Sequence, residues 1–281
     1  MDPVQGSPQY VLGHSDSELQ RLLNQSRFYG ELTEEVFRRA GVAQGMHLMD
    51  AGCGAGDVSF LAASIVGPTG SVLGVDRSAE SIRLARQRAE SAGLSNVNFM
   101  EADLTTLVLA ESFDALVGRF VLLYLSDPSS VLRRLSGFVR PGGLVVFQEM
   151  DMSAERAEPA VPAHDALLGW ILETFRCGGV EINMGSRLFA TFCQAGLPSP
   201  ELILRARIGG APDFPGYAYL AQTLRSLLPM AERYGVATAA EVQIETMEER
   251  LREDVLRNNA VIVLPSLIGA WTRVRDGKPQ T

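Results

Sequence analysis

His47-Leu-Met-Asp-Ala-Gly-Cys-Gly-Ala-Gly-Asp57 is the stretch that decides the fold of this chain. The apolar segment ending in Asp50 predicts a short buried strand, and its three glycines then allow a tight turn into a helix over 58–66. A glycine-rich turn at a helix N-terminus also lets a ligand approach the backbone closely. A lone pattern of this kind is weak evidence, because a well-packed turn needs glycine too. The neighbouring strands and helices are therefore needed to distinguish a ligand-binding turn from a turn that is only well packed.

The rest of the first half repeats the strand–helix unit. Strands are predicted at 71–75, 97–100, 115–118 and 144–148, and helices at 79–92 and 131–139. This alternation predicts βαβ units and a parallel sheet. Helices are then predicted at 163–176, 185–195, 216–234 and 238–258, with strand-like runs at 202–208 and 261–264. We expect 202–208 at the sheet edge and 261–264 as the last, antiparallel strand. Residues 16–40 predict two helices separated by Gly30.

These elements predict an α/β fold, with a Rossmann-like seven-stranded sheet, N-terminal helices and a helical lid. We divide the chain into an N-terminal helical arm (1–40), a cofactor-binding core (41–150), and the rest of the sheet plus a helical substrate lid (151–281). The proline-rich stretch 158–162 is the expected hinge between sheet and lid.

Composition narrows the range of partners. The 281 residues carry a formal net charge of -8, whereas proteins that bind polyanions usually present a basic face, so a nucleic-acid partner is not expected. The longest apolar run, 260–271, is too short to span a bilayer and is interrupted by Pro265. We expect no membrane partner and a cytoplasmic location. Three scattered cysteines without a Cys/His cluster give no reason to expect a metal.

Acidic residues follow three of the predicted strands. Asp76 comes about twenty residues after the glycine turn, where a carboxylate can accept both ribose hydroxyls. A helix N-cap is the alternative role for Asp76, although Ser78 suits that role better. Asp50 would repel the pyrophosphate of a dinucleotide and attract a ligand that carries an ammonium and a sulfonium. Asp103 can accept a hydrogen bond from an adenine amino group. The residues predict a cationic, adenosyl-bearing ligand.

The same segments resemble the motifs of class I S-adenosylmethionine-dependent methyltransferases. The similar segments are Met49–Gly56 for the first motif, Gly74–Ser78 for the second, Glu101–Leu104 for the third, Phe113–Phe120 for the fourth strand and Arg140–Gly143 for the turn into the fifth strand. The resemblance covers roughly residues 25–150 and is greatest for the ubiquinone/menaquinone-type small-molecule branch.

The resemblance implies S-adenosyl-L-methionine as cofactor and S-adenosyl-L-homocysteine as product. It implies roles for the following residues: Asp50 with the backbone of Gly52, Gly54 and Gly56 at the methionine moiety, Asp76 at the ribose, Arg77, Asp103 and the Leu104 backbone at the adenine, and the Gly118 carbonyl with Arg119 at the methionine end. Tyr29 is a candidate for covering the sulfonium end, with a plain core aromatic as the alternative.

Methyl transfer needs a general base only when the nucleophile starts protonated. His164, just beyond the fifth strand on the cofactor side, is the better candidate for that base, and His14 in the N-terminal segment is the second. His47, at the opposite end of the first strand, is expected to be structural. Glu149 and Asp151 close the fifth strand near the same place, with capping as their alternative role.

We expect methyl transfer to a small organic acceptor, with oxygen favoured over nitrogen or carbon, mainly by proximity. Aromatic residues of the lid suit a mid-sized acceptor from secondary metabolism and are also a candidate homodimer surface. A nicotinamide-dependent oxidoreductase is the first alternative, against which Asp50 and the absence of a Tyr-x-x-x-Lys pair argue. A non-catalytic adenosyl-binding protein, or another use of the bound sulfonium, stays open.

Overall fold

A computed structural model of the chain describes residues 16–275, with side chains described from residue 28 onward. The strands are β1 (His47–Ala51), β2 (Ser71–Asp76), β3 (Val97–Glu101), β4 (Phe113–Arg119), β5 (Val139–Asp151), β6 (Arg156–Glu158), β7 (Glu201–Arg205), β8 (Ile208–Gly209), β9 (Val261–Val263) and β10 (Ser266–Arg273). The helices are α1 (Asp16–Ala40), α2 (Asp57–Val66), α3 (Ala79–Ser91), α4 (Pro128–Ser136), α5 (Pro162–Cys177), α6 (Met184–Gln194), α7 (Gly216–Tyr234), α8 (Ala239–Val242) and α9 (Met247–Arg257).

The central sheet has seven strands within this part of the chain, in the order β3-β2-β1-β4-β5-β10-β7. The first five strands are parallel, and β10 runs antiparallel between β5 and β7. The chain leaves β1 toward β3 on one side and returns to β4 on the other, so the strand order reverses between β1 and β4. Ligands of open α/β sheets bind at the carboxyl ends of the strands beside such a reversal. The predicted α/β architecture is confirmed.

Both faces of the sheet are covered by apolar side chains. In β1, Leu48 packs with Phe37 of α1 and Ala62 of α2 on one face, whereas the fully buried Met49 belongs to the core on the other face. Successive strand residues point to opposite faces, and a strand covered on both sides reads as a continuous apolar run. This explains why a short apolar segment was sufficient to predict β1.

The helix α1 is continuous, so the predicted break at Gly30 is wrong. Glycine in a helix interior costs only about 1 kcal/mol relative to alanine. Val36 and Phe37 are fully buried against the sheet, and this packing outweighs the local preference.

The C-terminal part of the sheet also differs from the prediction. Residues 261–263 form β9 in a separate three-stranded sheet with β6 and β8, and the antiparallel strand of the central sheet is β10. Pro265 lies between β9 and β10 and divides the apolar run into two strands, because proline lacks the N–H that a ladder needs. The predicted strand 202–208 is also divided into two strands. β7 lies at the expected edge of the central sheet, and β8 belongs to the three-stranded sheet.

The predicted helix 238–258 is interrupted as well. Gln243 adopts a left-handed conformation with φ 49, and the chain passes through a short 3₁₀ turn between α8 and α9. The cap on the sheet is formed mainly by α5, α7 and α9, with α7 packing against α1, α5 and α9. Among the described residues, no helix combines the length and apolar character that crossing a bilayer would require.

The packing of α1 on β10 can be tested at Gly269. A methyl group there would lie 2.7 Å from Cγ2 of Val36, so we expect Gly269→Ala to lower the free energy of unfolding by about 1–3 kcal/mol through overpacking. Gly169, exposed in α5, has nothing within 4 Å of the same added atom. Gly169→Ala should raise the free energy of unfolding by up to about 1 kcal/mol. Urea unfolding measures both values, and equal effects at the two sites would contradict this packing.

Candidate functional site

The glycine turn that joins β1 to α2 is fixed to the end of the neighbouring strand. The backbone N–H groups of Gly52 and Cys53 both donate to the carbonyl of Val75, over 2.8 and 3.0 Å. From the other side, the Arg88 guanidinium of α3 donates to the carbonyl of Ala55 over 2.5 Å. The turn is therefore held by β2 and α3 and lies at the carboxyl end of β1, beside the reversal of strand order between β1 and β4.

The glycines of the turn serve two different needs. A side chain on Gly52 would lie 2.7 Å from Val121, and one on Gly56 would lie 2.8 Å from the Phe60 ring. These two glycines are required by packing as well as by their positive φ angles of 67° and 91°. Gly54, with φ 51, has nothing within 4 Å of an added Cβ. Its backbone is the part of the turn that a ligand can approach without obstruction.

Asp76 at the end of β2 ties the turn to the start of α3. Its Oδ2 accepts from the Gly54 N–H at 2.9 Å, and its Oδ1 accepts from the Ser78 N–H at 2.9 Å. Ser78 is the N-cap of α3 and accepts from the Ser81 N–H, as predicted. Each carboxylate oxygen can accept more than one hydrogen bond, so Asp76 retains capacity for hydroxyl donors.

Asp50 is buried beneath the turn with one oxygen unpaired. Its Oδ2 accepts from the Ser59 hydroxyl at 2.6 Å, whereas Oδ1 finds no partner among the described residues. Burial raises the pKa of the Asp50 carboxyl to about 7, although the Ser59 hydrogen bond and the charge of Arg119 act in the opposite direction. A buried acceptor without a partner is costly, and an ammonium is a donor that would satisfy it. The site therefore fits the methionine moiety of the expected cofactor.

Arg119 and Tyr29 meet beyond the end of β4. Arg119 donates to the Thr33 hydroxyl of α1 at 3.0 Å, and burial lowers the pKa of its guanidinium. The fully buried Tyr29 ring packs edge-on against Phe120 and Tyr219, with ring centroids 5.5 Å apart in both cases. Tyr29 is thus a core aromatic that also lies next to the predicted methionine end.

Gly118 and Phe120 shape the backbone at this strand end. A side chain on Gly118 would lie 2.5 Å from the Phe147 ring, so close packing requires glycine there. Phe120 adopts a positive φ of 58, which is rare for an aromatic residue and marks local backbone strain. Strained residues of this kind are concentrated at binding and catalytic sites.

The residues predicted for the adenine lie together beyond β2 and β3. The Oδ1 atom of Asp103 accepts from the Thr105 N–H and hydroxyl at 2.8 and 2.7 Å, and these bonds lower the pKa of its carboxyl. The charge of Arg77 lowers that pKa further. Leu104 is buried behind them.

The two histidines within the described residues occupy opposite edges. His47 stacks on Phe113 with ring centroids 4.6 Å apart, and its Nδ1 lies 2.6 Å from the Ser71 hydroxyl, consistent with the expected structural role. His164 lies in the first turn of α5 and is fully buried. Its Nε2 atom is 3.8 Å from Glu155. His14, the second base candidate, lies outside the described residues.

The acids that close β5 have capping contacts. Glu149 is fully buried, and its Oε1 accepts from the N–H groups of Val121 and Leu122 at 3.0 and 2.7 Å, at the start of a 3₁₀ turn. Asp151 accepts from Ser153 and from the Ser186 hydroxyl. These contacts are those of the capping role that was the alternative for Glu149 and Asp151.

Three residues of the site have no motif in the sequence. Thr33, Glu155 and Tyr219 come from α1, from the loop after β5 and from α7, and only the tertiary structure brings them next to Arg119, His164 and Tyr29, respectively. Glu155 could not be predicted as a buried site residue, because isolated acidic residues in loops usually lie on protein surfaces.

Comparison with known proteins matches residues 43–177 to a family described as a methyltransferase domain. An arsenite methyltransferase of Aquipseudomonas alcaligenes is 38% identical over 114 residues, which are 38% of this chain and 33% of that protein. A demethylmenaquinone methyltransferase of Geobacillus kaustophilus is 32% identical over 117 residues, 41% of this chain and 50% of that protein. The matches span a third to a half of these relatives.

Solved structures share the fold over most of the chain. The [4+2]-cyclase SpnF is 22% identical, with 88% of this chain and 82% of that chain covered at a TM-score of 0.54. A putative methyltransferase from Bacillus halodurans is 14% identical, with 87% and 99% covered at a TM-score of 0.57. This chain therefore shares its seven-stranded architecture and flanking helices with these solved structures.

The buried Asp50 carboxyl predicts a pH-dependent stability. A raised folded-state pKa contributes stability that is complete below about pH 4 and is lost as the pH rises through about 7. We expect the free energy of unfolding of the wild type minus that of Asp50→Asn to fall by about 2–4 kcal/mol between about pH 4 and pH 8. Urea titrations at each pH measure this difference.

The matched control for this experiment is Asp213→Asn, which neutralises an exposed carboxylate. Its difference from the wild type should stay flat over the same pH interval, because an exposed carboxylate is solvated in both the folded and the unfolded protein. A flat profile for Asp50→Asn as well would mean that the Asp50 carboxyl is not desolvated.

Proposed function

We propose that this chain, whose residues 43–177 match a methyltransferase-domain family, is a class I S-adenosylmethionine-dependent methyltransferase that transfers a methyl group to the oxygen of a small organic acceptor. The observation that carries the proposal is the unpaired oxygen of the buried Asp50 beside a glycine turn whose backbone is open at Gly54. That combination suits a cationic, phosphate-free ligand, and S-adenosylmethionine supplies a methyl group already activated on a sulfonium.

The residues assigned to the cofactor follow the sheet edge from β1 to β4. We assign Asp50 and the backbone of the turn (Gly52, Gly54, Gly56) to the methionine moiety, Asp76 to the ribose, Arg77, Asp103 and Leu104 to the adenine, and Gly118 with Arg119 to the methionine end. This division is supported by the charge of Arg77, which acts on Asp103, and by the side chain of Arg119, which donates to Thr33 of α1.

The chain itself mainly aligns the reactants and excludes water. Tyr29, Phe120 and Tyr219 enclose the region beyond β4, and ring contacts between α1 and α7 hold them in place. Alignment of two reactants in a dry site is a large source of rate enhancement for a displacement that needs no further activation. We keep the proposed division of the chain into an arm over 1–40, a core over 41–150, and the rest of the sheet with the helical substrate lid over 151–281.

Oxygen is the proposed nucleophilic atom because a candidate base is present. A hydroxyl has to lose its proton during transfer, whereas an amine in its neutral form does not. His164 is buried, and its Nε2 atom finds no hydrogen-bond partner among the described residues. We propose His164 as the base.

The two alternatives differ from this proposal in their ligand and in their product. A nicotinamide-dependent oxidoreductase would need the pyrophosphate to lie against Asp50, which disfavours it. A reaction other than methyl transfer is compatible with the same fold, since SpnF, a [4+2]-cyclase, shares it.

Mass spectrometry of products from phenol, amine and carboxylate acceptors tests the proposal directly. A mass increase of one methyl group on the phenol is the expected result, and its absence with all acceptors despite cofactor binding contradicts transfer.

Binding of the cofactor can be tested at Asp76. We expect Asp76→Ala to weaken binding of S-adenosylhomocysteine by at least about tenfold, because hydrogen bonds to a charged acceptor are worth about 1.5–3 kcal/mol. Glu101→Ala is the matched control, because Glu101 lies opposite Asp76 on β3. This substitution also removes one negative charge. Calorimetry should show the control within about twofold of the wild type. Unchanged affinity in Asp76→Ala, or tight binding of NADH to the wild type, would overturn the assignment.

A further inference from the structure

The outer strand of the central sheet, β7, turns an apolar face to solvent. It pairs with β10 on one side, and no described strand pairs with it on the other. Ile203 and Arg205 are half-buried toward α1, whereas Leu202 and Leu204 are 43% and 55% exposed. Proteins usually protect a sheet edge with charges, because an apolar edge promotes pairing with another chain. β7 therefore has the features of a strand that pairs with a partner.

Helix α6 does not cover this face of β7. It packs against β5 and β10, and a methyl group added at Gly185 would lie 3.2 Å from Ile268, the β10 residue opposite Leu204. Phe189 of the same helix is 46% exposed. Apolar side chains of both β7 and α6 are therefore available to a partner.

The sequence of β7 is complementary to itself when two copies run antiparallel. With Ile203 opposite Ile203 of a second copy, each Leu202 lies opposite a Leu204, and each Glu201 lies opposite an Arg205. Apolar pairs and pairs of opposite charge directly across an antiparallel ladder stabilise it. The five residues therefore match a second copy of the same strand at every position.

Proline limits the register in which two copies can pair. Pro200 directly precedes β7 and has no N–H to donate to a ladder. Only the register centred on Ile203 pairs all five residues of both strands and leaves both copies of Pro200 outside the ladder. The pairing that matches the charges is thus also the longest ladder that β7 can form with itself.

Arg205 can bind a second carboxylate without releasing its first. Its Nε and Nη2 atoms donate to Glu35 of α1 at 2.9 and 2.5 Å, and its Nη1 atom donates to the Leu204 carbonyl at 3.0 Å. Because Nη1 carries two N–H groups, a second donor is available on that atom. Glu201, the carboxylate expected opposite it, is exposed. This charge complementarity favours a second copy of the chain over an unrelated strand.

We infer that two copies of this chain associate through β7, so that antiparallel β7 strands join the two central sheets about a two-fold axis. Such an interface uses the same surface on both copies. The cap aromatics Phe175, Tyr217 and Tyr219 are buried within the chain, so they do not supply this surface. β5 and β10 separate β7 from β4, so the association does not involve the residues assigned to the cofactor.

Sedimentation of the full chain at about 1 to 100 µM tests the association, and we expect a concentration-dependent dimer. Leu204→Lys should weaken dimerisation by at least about tenfold, because it places a charge on the shared apolar face. Val108→Lys is the matched control and should leave the dimer unchanged, since Val108 is 80% exposed between β3 and β4. A monomer at every concentration, whether its edge is bare or covered by its own terminal residues, would overturn the inference. A dimer that Leu204→Lys leaves equally stable would do the same.

Disulfide formation tests the register, in a background that carries Cys177→Ser and Cys193→Ser at the two exposed cysteines. Ile203→Cys should give a cross-linked dimer, because directly opposite residues lie within the Cα distance that a disulfide spans. Leu204→Cys is the matched control: its side chain is more exposed, but its two copies would be diagonal neighbours about 7–8 Å apart. It should therefore cross-link more slowly. Cross-linking of Leu204→Cys at the same or a higher rate contradicts the pairing of β7 with itself.

Discussion

The hydrogen bond from the Gly54 N–H to the Asp76 carboxylate is the constraint on which the candidate site depends. It fixes the middle of the glycine turn to the end of β2, and the carbonyl of Val75 fixes its beginning. A turn held at both points presents its backbone in one geometry before any ligand arrives. Binding then requires little ordering of the chain, and this lowers the free-energy cost of forming the complex.

The buried Asp50 and the half-buried Arg119 carry groups of opposite charge near the ends of β1 and β4. Asp50 and Arg119 each lose solvation, and the charge of each partly offsets the cost for the other. Neither residue pairs directly with the other through a hydrogen bond: Asp50 accepts from Ser59, and Arg119 donates to Thr33. Asp50 thus keeps an unpaired oxygen that can accept from a positively charged donor of a ligand, while Arg119 offsets part of the cost of burying the carboxyl.

The sequence predicts correctly those elements whose backbone conformation depends on residues only a few positions apart. The glycine turn, the strand ends at Asp50 and Asp76, and the cap at Ser78 follow from residue types and spacing over a few positions. The continuous helix through Gly30 could not be predicted, because burial of distant residues in the same helix outweighed a local preference. The partition of the apolar run around Pro265 also depends on which strands are available as partners. For the same reason Glu155 could not be singled out from the sequence, since the histidine next to it lies on another element.

The two sides of the site come from different stretches of the chain. Groups assigned to the cofactor lie between Asp50 and Arg119, whereas the pair Tyr29–Tyr219 comes from α1 and α7 and the pair Glu155–His164 from the loop after β5 and α5. At Gly54 only main-chain atoms are presented, and these do not change with sequence. A lineage can therefore exchange the residues that meet one reactant while the other continues to bind as before. Diversification toward new acceptors needs substitutions on the cap, not a new scaffold.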